Sequence, residues 1–296
     1  MPEARGPRWT GAGQGSPVDQ LQPDVPWSAH DNDDWPAVMT VHAERHDRVL
    51  VVSIDRPESR NAVDGATAQS LHDTFAAFDE DDGLDGAVLT GAGGTFCSGA
   101  DLKAVGSGRG NRIEQDMTRP GPLGCTRLQL SKPVVAAVEG HAVAGGLELA
   151  LWCDLRVAST SAVFGVFCRR WGVPLVDGGT VRLPRIVGQG RALDMILTGR
   201  AVSGPEALSW GLVNRICEPG QALEVAVELA TSLTSFPQLC LRSDRASVHE
   251  QWGLQLPAAM ANEVAHGLVP VRAGETVAGA ARFAAGAGRH GAADGS

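Results

Sequence analysis

The 296 residues are 43% hydrophobic and 20% charged, enough apolar material for one large core or two small ones, which excludes disorder throughout. With 34 Asp and Glu against 25 Lys and Arg the net charge is −9, a balance that argues against a general binder of nucleic acid or of an anionic membrane. The six cysteines, at 97, 125, 153, 168, 217 and 240, form no close pair of the kind that builds zinc or redox sites, so reduced and mostly buried thiols are expected.

Residues 1–36 are rich in Gly, Pro, Asp and Gln without periodicity, and are expected to form a disordered tail. No apolar run follows the N-terminus, and the most hydrophobic internal stretch, Ala142 to Cys153, is interrupted by Glu148. A soluble, cytoplasmic protein without a membrane partner is the expectation. From Val38 two β-branched runs, MTVHAER and RVLVVSID, flank His46 and Asp47 as a hairpin would. Asp64 opens a helix that places Leu71, Phe75 and Phe78 on one face.

GAVLTG at 86–91 reads as a buried strand ending in the glycine turn GAGGTFCSGAD, followed by a polar stretch at 106–118 and a helix reaching Ser131. PVVAAVEG is a further strand, and it leads through HAVAGG into the helical LELALWCD. DLRVAS and SAVFGV return as strands. Beyond Thr180 the pattern is mainly helical, with a short strand LVNRIC, and 285–296 is expected to be a flexible tail.

Several chemistries lose support. The dinucleotide pattern begun by Gly91 and Gly93 meets Phe96 where a third glycine is required, and the one begun by Gly188 and Gly190 meets Leu193. A zincin-like start, His249 with Glu250, meets Gly253 in place of a second histidine, and Ser98 lacks the upstream glycine of a nucleophile elbow. What remains is a pair of glycine-rich strand exits, 93–103 and 139–154, each entering a helix. Backbone N–H groups at both helix starts lack intrahelical partners, so two of them can converge on one anion.

Five ordered pieces carry a resemblance: IDRPESRNAVD, FCSGADLKAV, SKPVVAAVEGHAVAGGLELALWCDLRVAS, FGVFCRRWGVPLVDGGTVRLPRIVG and LTGRAVSGPEALSWGLVNRI. Together they are similar to the enoyl-CoA hydratase/isomerase, or crotonase, superfamily. The resemblance implies an α/β fold, a superhelix of repeated β-β-α units with a helical C-terminal region. It implies a catalytic core over 37–235 and an oligomerisation region over 236–284 that completes a homotrimer or hexamer. It also implies acyl-CoA thioester substrates, with coenzyme A as part of the substrate and no metal or other cofactor.

Carried over by position, Ala100 and Gly145 supply the two oxyanion-hole N–H groups, and Glu148 matches one of two glutamates that move protons in family hydratases. Glu148 is also the only charged residue between His141 and Asp154, in surroundings that would raise its pKa. The second acid position carries Cys168, a departure that puts the two-glutamate mechanism in doubt. Asp177, in PLVDGGT, is a candidate substitute for the missing acid or else a helix N-cap. For the coenzyme the resemblance points to Arg60, Asn61 and Ala62 and to Ala100, Asp101, Leu102 and Lys103, although Glu58 stands where the family often has lysine. The expected activity is water addition to a 2-enoyl-CoA. Double-bond isomerisation or thioester hydrolysis by a lone glutamate is the alternative within the enzymes, and a non-catalytic acyl-CoA binder is the alternative outside them.

Overall fold

The computed structural model describes residues 40–286. The expected tail at 1–36 lies outside the described residues, as does all but the first two residues of the one at 285–296. Strands β1 (Val41–His46) and β2 (Val49–Ile54) form the expected hairpin, with Val41 opposite Ile54 and Asp47 turning the chain at φ +52°. Helix α1 (Gly65–Glu80) starts at Asp64, whose carboxylate accepts the Thr67 N–H, and buries Leu71, Phe75 and Phe78.

The later strands are β3 (Gly86–Gly91), β4 (Val134–Val138), β5 (His141–Val143), β6 (Leu155–Ser159), β7 (Val163–Gly165), β8 (Ala201–Ser203) and β9 (Arg215–Cys217). A six-stranded sheet runs in the order β1-β2-β3-β4-β6-β9, parallel from β2 onward, and β5-β7-β8 form a second sheet. The large sheet is apolar on both faces because both are covered. Val52, Ile54, Ala87, Leu89, Val134, Ala136 and Val138 face the main core, while Val49, Val51, Val88, Val135, Ala137 and Val157 face the other side. There α7 (Ala222–Thr234) lies on the sheet through Ala226 and Ala230, whose small side chains permit close approach.

Repetition of the unit is visible in the bridges. Val63 pairs with Ala100, Cys97 with Ala142, and β5 with β7, so each turn adds one position to the large sheet and one to a second stack. Helix α2 (Leu102–Gly106) follows the first glycine turn and α3 (Gly145–Trp152) the second. The helix expected to reach Ser131 is absent. Only the single 3-10 turn Cys125–Arg127 forms, because Pro120, Pro122 and a left-handed Gly124 at φ +78° interrupt the backbone. Strand β8 carries no sequence signal of its own, being only three residues long with one buried side chain.

Helices α4 (Gly179–Val187), α5 (Gln189–Thr198) and α6 (Gly204–Ser209) follow, with α4 packed on α3 and α5, and α6 against β7, β8 and β9. The C-terminal region consists of α8 (Gln238–Glu250), α9 (Leu256–Arg272) and α10 (Glu275–Ala284). Its attachment to the core is polar: Arg242 pairs with Asp85 at 2.7 Å and Arg245 with Asp154 at 2.8 Å, while Ser243 and Ser247 are the buried residues of α8. Among the described residues no helix is long and apolar enough to cross a membrane.

Candidate active site

The first glycine turn leaves β3 and delivers Ala100. Val63 N–H donates to the Gly99 carbonyl at 2.8 Å and Asp101 N–H to the Val63 carbonyl at 2.9 Å, which fixes the residues on either side. Asp101 then caps α2, accepting from the N–H groups of Lys103 and Ala104. The guanidinium of Arg56 donates to Asp101 at 3.0 Å, lies 3.2 Å from Asp64, and also donates to the Ala62 carbonyl. One cation therefore ties together the carboxylates that cap α1 and α2. The Ala100 N–H has no acceptor among the described residues.

The second turn leaves β5 and delivers Gly145. Ala144 sits at φ +53° and ψ −124°, a conformation that costs a residue with a Cβ about 1–3 kcal/mol, and it turns the chain sharply into α3. Gly145 opens that helix, and its N–H is likewise without an acceptor among the described residues. The two turns touch. A methyl built on Gly99 would stand 2.7 Å from the Gly145 nitrogen, and one on Gly145 would stand 3.5 Å from the Ala100 nitrogen. Two free backbone donors thus lie side by side, an arrangement that suits a carbonyl oxygen acquiring charge.

Glu148 is the fourth residue of α3 and is 2% exposed. Its Oε1 accepts from the N–H groups of Asp177 at 2.9 Å and Gly179 at 2.8 Å, and no side chain of the described residues donates to it. Burial, followed by the nearby charge of Asp177, pushes its pKa up to about 7 against the pull of those backbone donors. A methyl on Gly179 would come within 2.9 Å of Oε1, so the glycine there admits the carboxylate.

Asp177 is 5% exposed, and its side chain accepts from Leu123 N–H at 3.0 Å and from the Thr126 hydroxyl. It is not the N-cap of α4. That position is Gly178, at φ +95° with no side-chain cap, and the glycine separates Asp177 from the helix so that the carboxylate reaches the 121–126 loop instead. Arg182 of α4 secures the same region by donating to the carbonyls of Asp177 and Thr126, each at 2.8 Å. Desolvation raises the pKa of Asp177 as well.

Cys168 lies in the short 3-10 turn Phe167–Trp171, buried, and both its burial and the charge of Glu148 raise its pKa. The thiol is therefore protonated at neutral pH and ill suited to be a nucleophile. Ala100, Gly145, Glu148, Asp177 and Cys168 form one neighbourhood. The residues assigned to the coenzyme divide differently: Arg60, Leu102 and Lys103 are exposed, Ala62 is buried with its carbonyl bound to Arg56, and Asp101 is committed to its cap and ion pair. Among the described residues no group of three or more His, Cys, Asp and Glu is arranged to hold a metal ion.

Sequence reasoning missed Arg56, Leu123, Thr126 and Arg182, which act across 45, 54, 51 and 56 residues of chain, respectively. Only the close glycines around Glu148 and Ala100 offered a local signal.

Comparison with known proteins identifies the family. The family model for enoyl-CoA hydratase/isomerase matches residues 44–283. A mevalonyl-coenzyme A hydratase of Aspergillus fumigatus is 37% identical over 204 residues, covering 69% of this chain and 76% of that protein. An enoyl-CoA hydratase of Mycobacterium tuberculosis, EchA19, is 36% identical over 214 residues, covering 70% and 79%, and a carnitinyl-CoA dehydratase of Salmonella arizonae is 39% identical over 199 residues, covering 67% and 75%. Among solved structures, the enoyl-CoA hydratase EchA1 of Mycobacterium marinum superposes with a TM-score of 0.77 at 37% identity, covering 83% of this chain and 95% of that one. With the family pattern spanning both glycine turns, the buried glutamate and the helices beyond them, the chain belongs to the enoyl-CoA hydratase/isomerase family, with the crotonase fold.

Proposed function

We propose that this protein adds water to a 2-enoyl-CoA thioester with a single carboxylate as the proton carrier. The observation that carries the reading is Glu148, buried, with a pKa of about 7, next to two backbone N–H groups that have no acceptor among the described residues. The thioester carbonyl oxygen accepts from Ala100 and Gly145. Glu148 takes a proton from water as the oxygen bonds to Cβ, the electron pair of the double bond moves to the enolate oxygen, and the same proton returns from Glu148 to Cα. One proton leaves water and one reaches carbon, so the lone acid suffices, and a pKa near neutrality keeps both of its states populated. The hydratase and dehydratase names of the relatives support water as the second reactant.

Cys168 favours a second reading. With a protonated thiol in place of the other acid, the same shuttle can move a proton between carbons and isomerise a double bond. The coenzyme would lie along Ala62 and the Ala100 turn, with Arg60 and Lys103 toward its phosphates, and the apolar side chains exposed on the C-terminal helices, Leu256, Met260 and Phe283 among them, would meet a second copy in a trimer or hexamer.

The test is incubation with crotonyl-CoA, following loss of the conjugated-thioester absorbance and identifying the product. A 3-hydroxyacyl-CoA supports hydration. Release of free thiol indicates hydrolysis, a shifted double bond with a longer enoyl-CoA indicates isomerisation, and tight binding without turnover over a panel of enoyl-CoAs would leave a binding protein. Sedimentation at micromolar concentration tests the assembly, and a monomer would overturn that part.

A further inference from the structure

We infer that Asp177 is a positioning residue, a buried carboxylate that ties the loop beside the oxyanion hole to the backbone that grips the base. The inference rests on the hydratase reading for its catalytic consequence, though not for its physical one.

Asp177 bonds both to the base and to the loop beside the oxyanion hole. Its main-chain N–H donates to Glu148 Oε1 at 2.9 Å. Its carboxylate accepts from Leu123 N–H and from Thr126, and Leu123 packs beside the oxyanion-hole residue at the start of the helix that carries Glu148: a methyl on Gly145 would stand 2.7 Å from Leu123 Cδ1. Gly121 is required in the same loop, since a methyl there would collide with the Thr126 hydroxyl and stand 3.1 Å from the Asp177 carboxylate. Leu123 N–H and the Thr126 hydroxyl are buried donors, and removing their acceptor would leave both unsatisfied. Rotation of Asp177 would therefore loosen the loop beside Gly145 and the backbone that grips Glu148 together.

The charges around this pair are few. Facing Glu148 are the carboxylate of Asp177, the thiol of Cys168 and the guanidinium of Arg182; facing Asp177 are Arg182, Arg127 and the thiols of Cys97 and Cys125. Among the described residues Asp177 is thus the anion that bears most on Glu148, and its charge holds the Glu148 proton more tightly. Its carboxylate already accepts two hydrogen bonds from loop residues, which suits a fixed charge and not a group that swings to protonate Cα.

Asp177→Asn separates the roles, because an amide oxygen still accepts from Leu123 and Thr126 while the charge is gone. The acid limb of the pH profile for kcat/KM is expected to move down by about one pH unit, with kcat at its plateau changed less than about tenfold. Asp177→Ala, which also deletes the acceptor, is expected to lower kcat about 10²-fold with little change in KM. A loss of about 10²- to 10⁴-fold for Asp177→Asn would make Asp177 a proton donor and overturn the inference, and an unmoved pH limb would reduce it to a structural residue.

A readout independent of turnover is the pH dependence of the melting-temperature difference between wild type and Glu148→Gln, which titrates Glu148 directly. Its midpoint should fall by the same amount in the Asp177→Asn background. If Glu148→Gln keeps full activity, the hydratase reading fails; if that variant is inactive and the midpoint does not move, the inference alone fails.

Discussion

The two glycine turns supply matching halves of one site and are held in opposite ways. The Ala100 turn is fixed by charges near the surface, with Arg56 bridging Asp64 and Asp101 at side-chain exposures of 13–19%. The Gly145 turn is fixed in the interior, by the strained Ala144, by close contact with the first turn, and by backbone donors gathered on a buried carboxylate. The difference teaches that polar clamps suffice where a turn needs only to be aimed, whereas a proton carrier needs a dry pocket to raise its pKa.

The largest effect should come from the interior half. Glu148→Gln keeps the acceptor for Asp177 and Gly179 but cannot carry a proton, so kcat for crotonyl-CoA is expected to drop about 10²- to 10⁴-fold with KM nearly constant. A variant within threefold of wild type would break the assignment of roles. Next comes Gly99→Ala, at the seam between the halves. Gly99 has φ +97°, and an added Cβ would collide with the Gly145 nitrogen, so both N–H groups must shift. A fall of about 10²- to 10³-fold in kcat is expected in a folded variant, with circular dichroism as the control.

The interior half also predicts a pH dependence of stability. Glu148 titrates near 7 in the folded protein against an ordinary value of 4.5, so the folded state holds the proton more tightly. Its contribution to stability is therefore full below about pH 4.5 and is lost as pH rises through 7. Glu148→Gln removes that loss. Relative to wild type, the variant should gain about 2 kcal/mol on going from pH 5 to pH 8, read from urea unfolding at the two pH values. A gain that did not depend on pH would mean that the carboxyl is not titrating in this range.

How far the site could be read from the chain follows the same division. The strand, glycine turn and helix of each half are local patterns, so both turns and the lone charge of Glu148 in its apolar helix were legible, and the apolar runs announced the sheet, whereas the choice of Ala100 and Gly145 within the turns came from the resemblance. Of the two readings open for Asp177, the N-cap was the local one, and it failed because a left-handed Gly178 intervenes and the carboxylate bonds to residues about 50 positions away. The helix expected before Ser131 failed for a related reason: Pro120, Pro122 and Gly124 shape a loop whose purpose, to meet Asp177, lies outside its own sequence. Arg56 carries no local signal, because one of the two carboxylates it bridges, Asp101, lies 45 residues further along the chain.

Arg56 supplies the smallest of the expected effects and the one most specific to the surface half. Substituting Gln removes the cation that Asp64 and Asp101 share, but each carboxylate keeps the N–H groups it caps, so both helices should still start in place. What is lost is the tether between them, and with it the aim of the Ala100 N–H. A drop of about tenfold in kcat is expected, close to the energy of one partly exposed charged hydrogen bond. High salt should reproduce part of this drop in the wild type, because a partly exposed pair is screened, and should do little to Arg56→Gln, which has no pair left to screen. Equal salt sensitivity in the two proteins would show that the Ala100 turn is aimed by its backbone bridge to Val63, and the contrast between the halves would then dissolve.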